Sequence, residues 1–295
     1  MPGIRHETIC FRRNAVLAAL FLLTTIRAAA EPAATVEAAA QEIVGIAAAE
    51  GATLRTRIFR PAGQGPFPLA VVSHGSPPDA SRRPVMEIPT FPSASNWLLQ
   101  RGYMVVLPLR RGYGETGGPW RENYGSCGNP DYYRAGLVTA EDIQAAIGFF
   151  RARSDVARDR ILLIGWSAGG WGSLAADSQN PPGVFAVLNF AGGRGGNPRL
   201  GNCTPQRLVD AAGRYGATAR IPSLWLCGKR QVLCTRAEPK NVRCLRSRRR
   251  QSGLRCAACV RCRRTSDLSR RPCVVAAAGR DIPGDDQAIG WLTPR

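Results

Sequence analysis

The stretch Gly165-Trp166-Ser167-Ala168-Gly169 constrains this chain more than any other. It follows the apolar run Ile161-Leu162-Leu163-Ile164 and leads into Gly170-Trp171-Gly172-Ser173-Leu174-Ala175-Ala176. A strand, then G-x-S-x-G, then a helix is the context of a nucleophile elbow. The turn is so sharp that the serine must take a strained backbone, and glycines two before and two after it keep side chains from colliding. The helix N-terminus then offers free N–H groups to negative charge forming beside the serine.

The surrounding pattern agrees. Thr53–Arg60 alternates and reads as an early strand; Phe67–Ser73 reads as a buried strand running into His74-Gly75-Ser76. Residues 95–101 suggest a short helix and 103–107 a strand. Residues 139–153 suggest a helix capped by Thr139, with Asp142 in its first turn and Ile143, Ile147 and Phe150 on one face. Strands at 184–190 and 223–226 enclose a helix near 205–212. Short apolar strands alternating with amphipathic helices predict an α/β fold with a doubly wound, mostly parallel sheet. The loop Arg110-Arg111-Gly112-Tyr113-Gly114 is rich in glycine, but it lacks the Gly-Lys-Ser/Thr ending of a phosphate loop.

Composition divides the chain. Its net charge of +19 suggests a nucleic-acid or anionic partner, but residues 229–295 hold 17 of the 40 Lys/Arg and only 5 of the 21 Asp/Glu, a net of +12. Cys227 and the residues after it hold 7 of the 10 cysteines. The excess is a property of the tail, and no nucleic-acid partner is expected for the body of the chain. At the other end, Arg12 and Arg13 precede a short apolar run and Ala28-Ala29-Ala30, the pattern of a secretory signal peptide. Periplasmic or secreted localisation follows, with no stable membrane insertion once the signal is removed. In an oxidising compartment Cys127 and Cys203 are free to pair, although two free thiols fit the sequence equally well. The expected organisation is a signal peptide over 1–30, a linker or N-terminal helix over 31–50, an incomplete α/β domain over 51–226 and an aberrant Arg/Cys-rich tail over 227–295.

Ser73-His74-Gly75, the Arg111-Gly112-Tyr113-Gly114 loop and the elbow together resemble the α/β-hydrolase superfamily, in particular its dienelactone-hydrolase-like and prolyl-oligopeptidase-like serine hydrolases. The resemblance implies Ser167 as nucleophile, with the backbone N–H of Ala168 and one from Gly75 or Ser76 as oxyanion hole. It implies a small ester, lactone or peptide substrate and no cofactor or metal. His74 and Tyr113 would support the site. The superfamily orders its triad Ser, Asp, His, and the sequence breaks that order. Its two histidines, His6 and His74, both precede Ser167, and Cys227-Gly228-Lys229-Arg230, directly after the strand ending at Leu226, holds no carboxylate.

A shifted reading frame accounts for the break. Moved by one nucleotide, residues 229–241 can be read as NDKYFAPELSRRM, with an aspartate codon spanning Arg230 and Gln231. Residues 260–268 can be read as FGAEGHLI, with a histidine codon spanning Thr265 and Ser266. On this reading the last strands and helix of the fold are missing or disordered, and the activity of the chain as written is impaired. Two alternatives stand beside it. Cys256, Cys259 and Cys262 have a spacing that suits zinc or an iron–sulfur cluster, in a tail whose arginines suit phosphates. The scaffold is also compatible with a non-catalytic binding protein.

Overall fold

The structure, a computed structural model, describes residues 35–37, 39–197 and 201–227, together with two strands further on, Val242–Arg243 and Cys273–Ala277. Its elements are β1 (Ala40–Ala47), β2 (Thr53–Arg60), β3 (Phe67–Ser73), α1 (Pro92–Leu99), β4 (Met104–Pro108), α2 (Tyr132–Arg151), β5 (Val156–Trp166), α3 (Ala168–Asp177) and β6 (Val184–Phe190). A small hairpin of β7 (Gly196–Asn197) and β8 (Gly201–Asn202) precedes α4 (Pro205–Gly216), β9 (Ser223–Cys227), β10 (Val242–Arg243) and β11 (Cys273–Ala277). No helix among the described residues is long and apolar enough to cross a membrane.

One sheet runs β1-β2-β4-β3-β5-β6-β9-β11-β10. Its centre, from β4 to β9, is parallel; β1, β2 and β11 pair antiparallel. Successive strand residues alternate between its faces. Leu69, Val71, Ile161 and Leu163 pack with α2, α3 and α4, whereas Ala70, Val72, Leu162 and Ile164 pack with Leu98 and Leu99 of α1. Helices on both faces of a parallel centre make the doubly wound α/β architecture. The chain passes from β3 to β4 on one side, then back over β3 to β5 on the other. In open α/β sheets such a reversal opens a crevice at the carboxyl ends of the strands, and ligands bind there.

Three expectations are corrected. Residues 40–47 form an edge strand, not a linker or helix. Ile46 is buried and Val44 half-buried against the core, a period of two that the alanine-rich composition conceals. The second helix begins seven residues earlier than expected. Asp131 caps it by accepting the Arg134 N–H at 2.9 Å, while Thr139 lies inside it and donates to the Ala135 carbonyl. Asp142 therefore lies beyond the first turn. Most of the tail, including Cys256, Cys259 and Cys262, lies outside the described residues. β10 and β11 are its described parts, and β11 extends the sheet antiparallel to β9.

Candidate active site

Ser167 joins the end of β5 to α3 at the crevice. It has φ 54° and ψ −118° and is the N-cap residue of α3. A side chain in that region is strained by about 1–3 kcal/mol and persists where its surroundings over-determine it. Here they do. The Ser167 N–H donates to the Phe190 carbonyl at 2.9 Å, and the Gly193 N–H donates to the Ser167 carbonyl at 3.2 Å. The flanking glycines are a steric necessity. A Cβ on Gly165 would run into the backbone of Gly169 and Gly170, and one on Gly169 into the carbonyls of Ser73 and His74.

The end of β3 faces the serine. A Cβ on Gly75 would stand 3.3 Å from the Ser167 Cβ, so the Gly75 backbone runs close beside Ser167. Ala168 opens α3, whose first N–H groups have no partner within the helix. Ser167, Ala168 and Gly75 thus cluster at the ends of neighbouring strands.

His74 is buried at 1 % exposure. Its Nδ1 lies 2.6 Å from the Gly75 carbonyl, and its Nε2 lies 3.2 Å from the Arg110 backbone N–H. The Nδ1–H therefore donates and Nε2 accepts. Burial first, then the Arg110 charge, push its pKa down to about 3. The ring is neutral at any working pH and both its nitrogens are engaged, so it braces the loop. His74 is the one histidine among the described residues.

Beneath it lies an ionic cluster that the sequence did not disclose. Arg110 and Glu122 are fully buried and paired. Arg194, also buried, reaches the same carboxylate. Tyr113 donates its hydroxyl to Glu122 at 2.9 Å and accepts the Trp120 indole N–H at 3.0 Å. Its ring meets that of His74 edge-on, with centroids 4.8 Å apart. Arg110 also donates to the Ser73 hydroxyl at 3.0 Å and the His74 carbonyl at 2.7 Å, which ties the cluster to the strand end beside Ser167. Burial alone would raise the Glu122 pKa. Arg110 and Arg194 outweigh it and hold the carboxyl well below the usual range.

Arg110 and Arg111 are buried and paired, not solvated; Arg111 binds Asp142 at 2.6 Å through its side chain and 2.9 Å through its backbone N–H. Asp142 is thus a buried ion-pair partner. Trp166 is 53 % exposed, not packed away. Nothing in the spacing marks Glu122 or Arg194, because each lies in a loop with no periodic pattern around it. Cys127 and Cys203 form a disulfide, Cα–Cα 4.8 Å, that ties together the loops carrying Glu122 and Arg194. Among the described residues no group of His, Cys, Asp and Glu could hold a metal ion.

Residues 89–191 match the model of the prolyl oligopeptidase family. No curated protein matches the sequence. Solved structures similar to this one include a prolyl endopeptidase (22% identity, TM-score 0.41, 52% of this chain and 21% of that one) and the dipeptidyl peptidase 4 of Porphyromonas gingivalis (19%, 0.43, 60% and 25%). An α/β hydrolase of a Penicillium species is similar at 23% identity and TM-score 0.41, over 62% of this chain and 57% of that one. The chain thus spans about a fifth to a quarter of the two peptidases and just over half of the fungal protein. Over residues 89–191, a stretch that includes the strained serine between β5 and α3, the chain is thus similar to the prolyl oligopeptidase family, and its strand order is that of a doubly wound α/β sheet.

Proposed function

We propose that the chain carries the nucleophile of an exported esterase or peptidase, dienelactone-hydrolase-like in scale, that works through an acyl-serine intermediate. The observation that carries this reading is the backbone of Ser167, held at positive φ on the N-cap of α3 with the Gly75 backbone against it. Ser167 Oγ attacks an ester, lactone or peptide carbonyl. The N–H of Ala168 and that of Gly75 or Ser76 take the negative charge that forms on its oxygen. Each such donor typically contributes about 10²–10³ in rate. Water then hydrolyses the acyl-enzyme. A Cys127–Cys203 disulfide agrees with export to an oxidising compartment.

Serine also needs a base, and His74 does not serve: it is neutral, fully hydrogen-bonded and turned into the loop. Glu122 and Asp142 are committed to buried arginines. The orienting acid and the base belong after β9, where the shifted frame supplies an aspartate and a histidine. The chain as written is therefore nearly inactive, and the frame-restored gene product is active. A serine-directed fluorophosphonate compares the two forms. The restored form should label faster by about a thousandfold or more, and Ser167→Ala should abolish labelling. Equal labelling of both forms refutes the incompleteness. Labelling that survives Ser167→Ala refutes the nucleophile and leaves a non-catalytic binding protein.

A further inference from the structure

We propose that Trp166, backed by Phe91, forms the surface that receives an aromatic or flat apolar group of the substrate, attached to the carbonyl that Ser167 attacks. This rests on Ser167 as nucleophile and goes further, to the class of substrate.

Trp166 is the last residue of β5, directly before Ser167, and more than half of it is exposed. Its position in the strand puts it on the same sheet face as Leu162 and Ile164, which are buried. The strand therefore carries its apolar side out past the covered core and into the crevice. The ring is not loose there. A Cβ on Gly75 would stand 3.1 Å from its Cε3 and 3.3 Å from its Cζ3, so the six-membered ring rests on the Gly75 backbone. Phe91 meets it edge-on, with centroids 6.4 Å apart and planes at 82°. Phe91 itself stands at φ 43° and ψ 62°, before the first residue of α1. A bulky side chain in that region is held against its preference, and such strain gathers at functional sites.

The placement links recognition to chemistry. Gly75 is one of the residues whose N–H would hold the substrate's carbonyl oxygen, and the indole covers that same residue. A substituent on the bound carbonyl comes within reach of the open part of the indole. Aromatic groups gain there by stacking or edge contact beyond simple area burial. The two rings are uncharged, so the site suits a neutral ring.

Boronic acids test this on the full chain without turnover. The Ser167 oxygen donates a lone pair to boron, a B–O bond forms, the serine proton passes to buffer, and boron becomes a tetrahedral anion. Affinities of 2-phenylethylboronic acid and ethylboronic acid, which share the same alkyl–boron bond, are measured by titration calorimetry. The phenyl compound should bind about tenfold more tightly. Trp166→Ala should remove that preference, read as the ratio of the two affinities. Trp166→Leu, which keeps apolar cover on Gly75, should fold and still lose most of the preference. Equal affinities in the unaltered chain, or a preference that survives both substitutions, overturn the inference alone. Binding of neither boronate by the full chain or by the frame-restored form rejects Ser167 as nucleophile, and the inference with it.

Discussion

Asp177 is the last residue of α3, the helix that starts beside Ser167. It is buried at 2 % exposure, and its Oδ1 has no hydrogen-bond partner among the described residues. A carboxylate there is unfavourable for two reasons: it is desolvated, and it lies at the negative end of the helix dipole. Burial raises its pKa to about 7 against the opposing pull of the Ile221 backbone N–H. An unfolded aspartate titrates near 3.9. The difference is about 3 units, and at 1.36 kcal/mol per unit the charged side chain costs the folded state about 4 kcal/mol. The sign follows from where the proton sits. Below about pH 4 the group is neutral in both states and costs nothing. Between about pH 4 and pH 7 the unfolded chain ionises while the folded one keeps its proton, so stability falls as pH rises. Above about pH 7 the full cost remains. Asp177→Asn is neutral throughout, with nearly the same shape. It should raise stability by up to about 4 kcal/mol at pH 8, and by little at pH 4, in urea unfolding followed by circular dichroism. That is a large fraction of the roughly 5–15 kcal/mol of a typical domain. A loss of stability at pH 8, or the same change at both pH values, refutes the reasoning.

The Glu122 cluster behaves in the opposite sense. Glu122→Gln removes the negative charge between buried Arg110 and Arg194 and should cost about 3–5 kcal/mol at neutral pH. Because the folded pKa is depressed, the deficit should be complete above the unfolded value of about 4.3 and shrink as pH falls below it; a deficit indifferent to acid sinks the account. Ser167→Gly should stabilise the fold by about 1 kcal/mol, the strain relieved less the entropy lost on fixing a glycine, while Ser167→Ala, which keeps the positive φ, should not. Equal thermal shifts for the two variants would show that Ser167 is unstrained.

Much of the fold was legible because its signals are local. The strands at 53–60 and 67–73 showed as alternating or continuous apolar runs. The elbow showed because its glycines answer collisions within a few residues of each other and with the neighbouring strand. Where local signals conflict, reading failed. In β1 the alternation of Val44 and Ile46 is diluted by alanines whose helix propensity points elsewhere. In α2 an oxygen-bearing residue at 139 resembled a cap, though Asp131 caps the helix.

What the sequence alone determined was a doubly wound sheet, a serine on a strained turn, and that both histidines precede that serine. Each is a matter of residue type and spacing along a short stretch of chain. Tertiary structure alone decided the fates of the charged and aromatic groups around that serine. Glu122 lies 12 residues from Arg110 and 72 from Arg194, and Asp142 lies 31 from Arg111. A buried charge is tolerable only when paired, and those partners meet because β3, the loop after β4, α2 and the loop after β6 converge at one end of the sheet. The same convergence made His74 a brace and left Trp166 open beside Ser167.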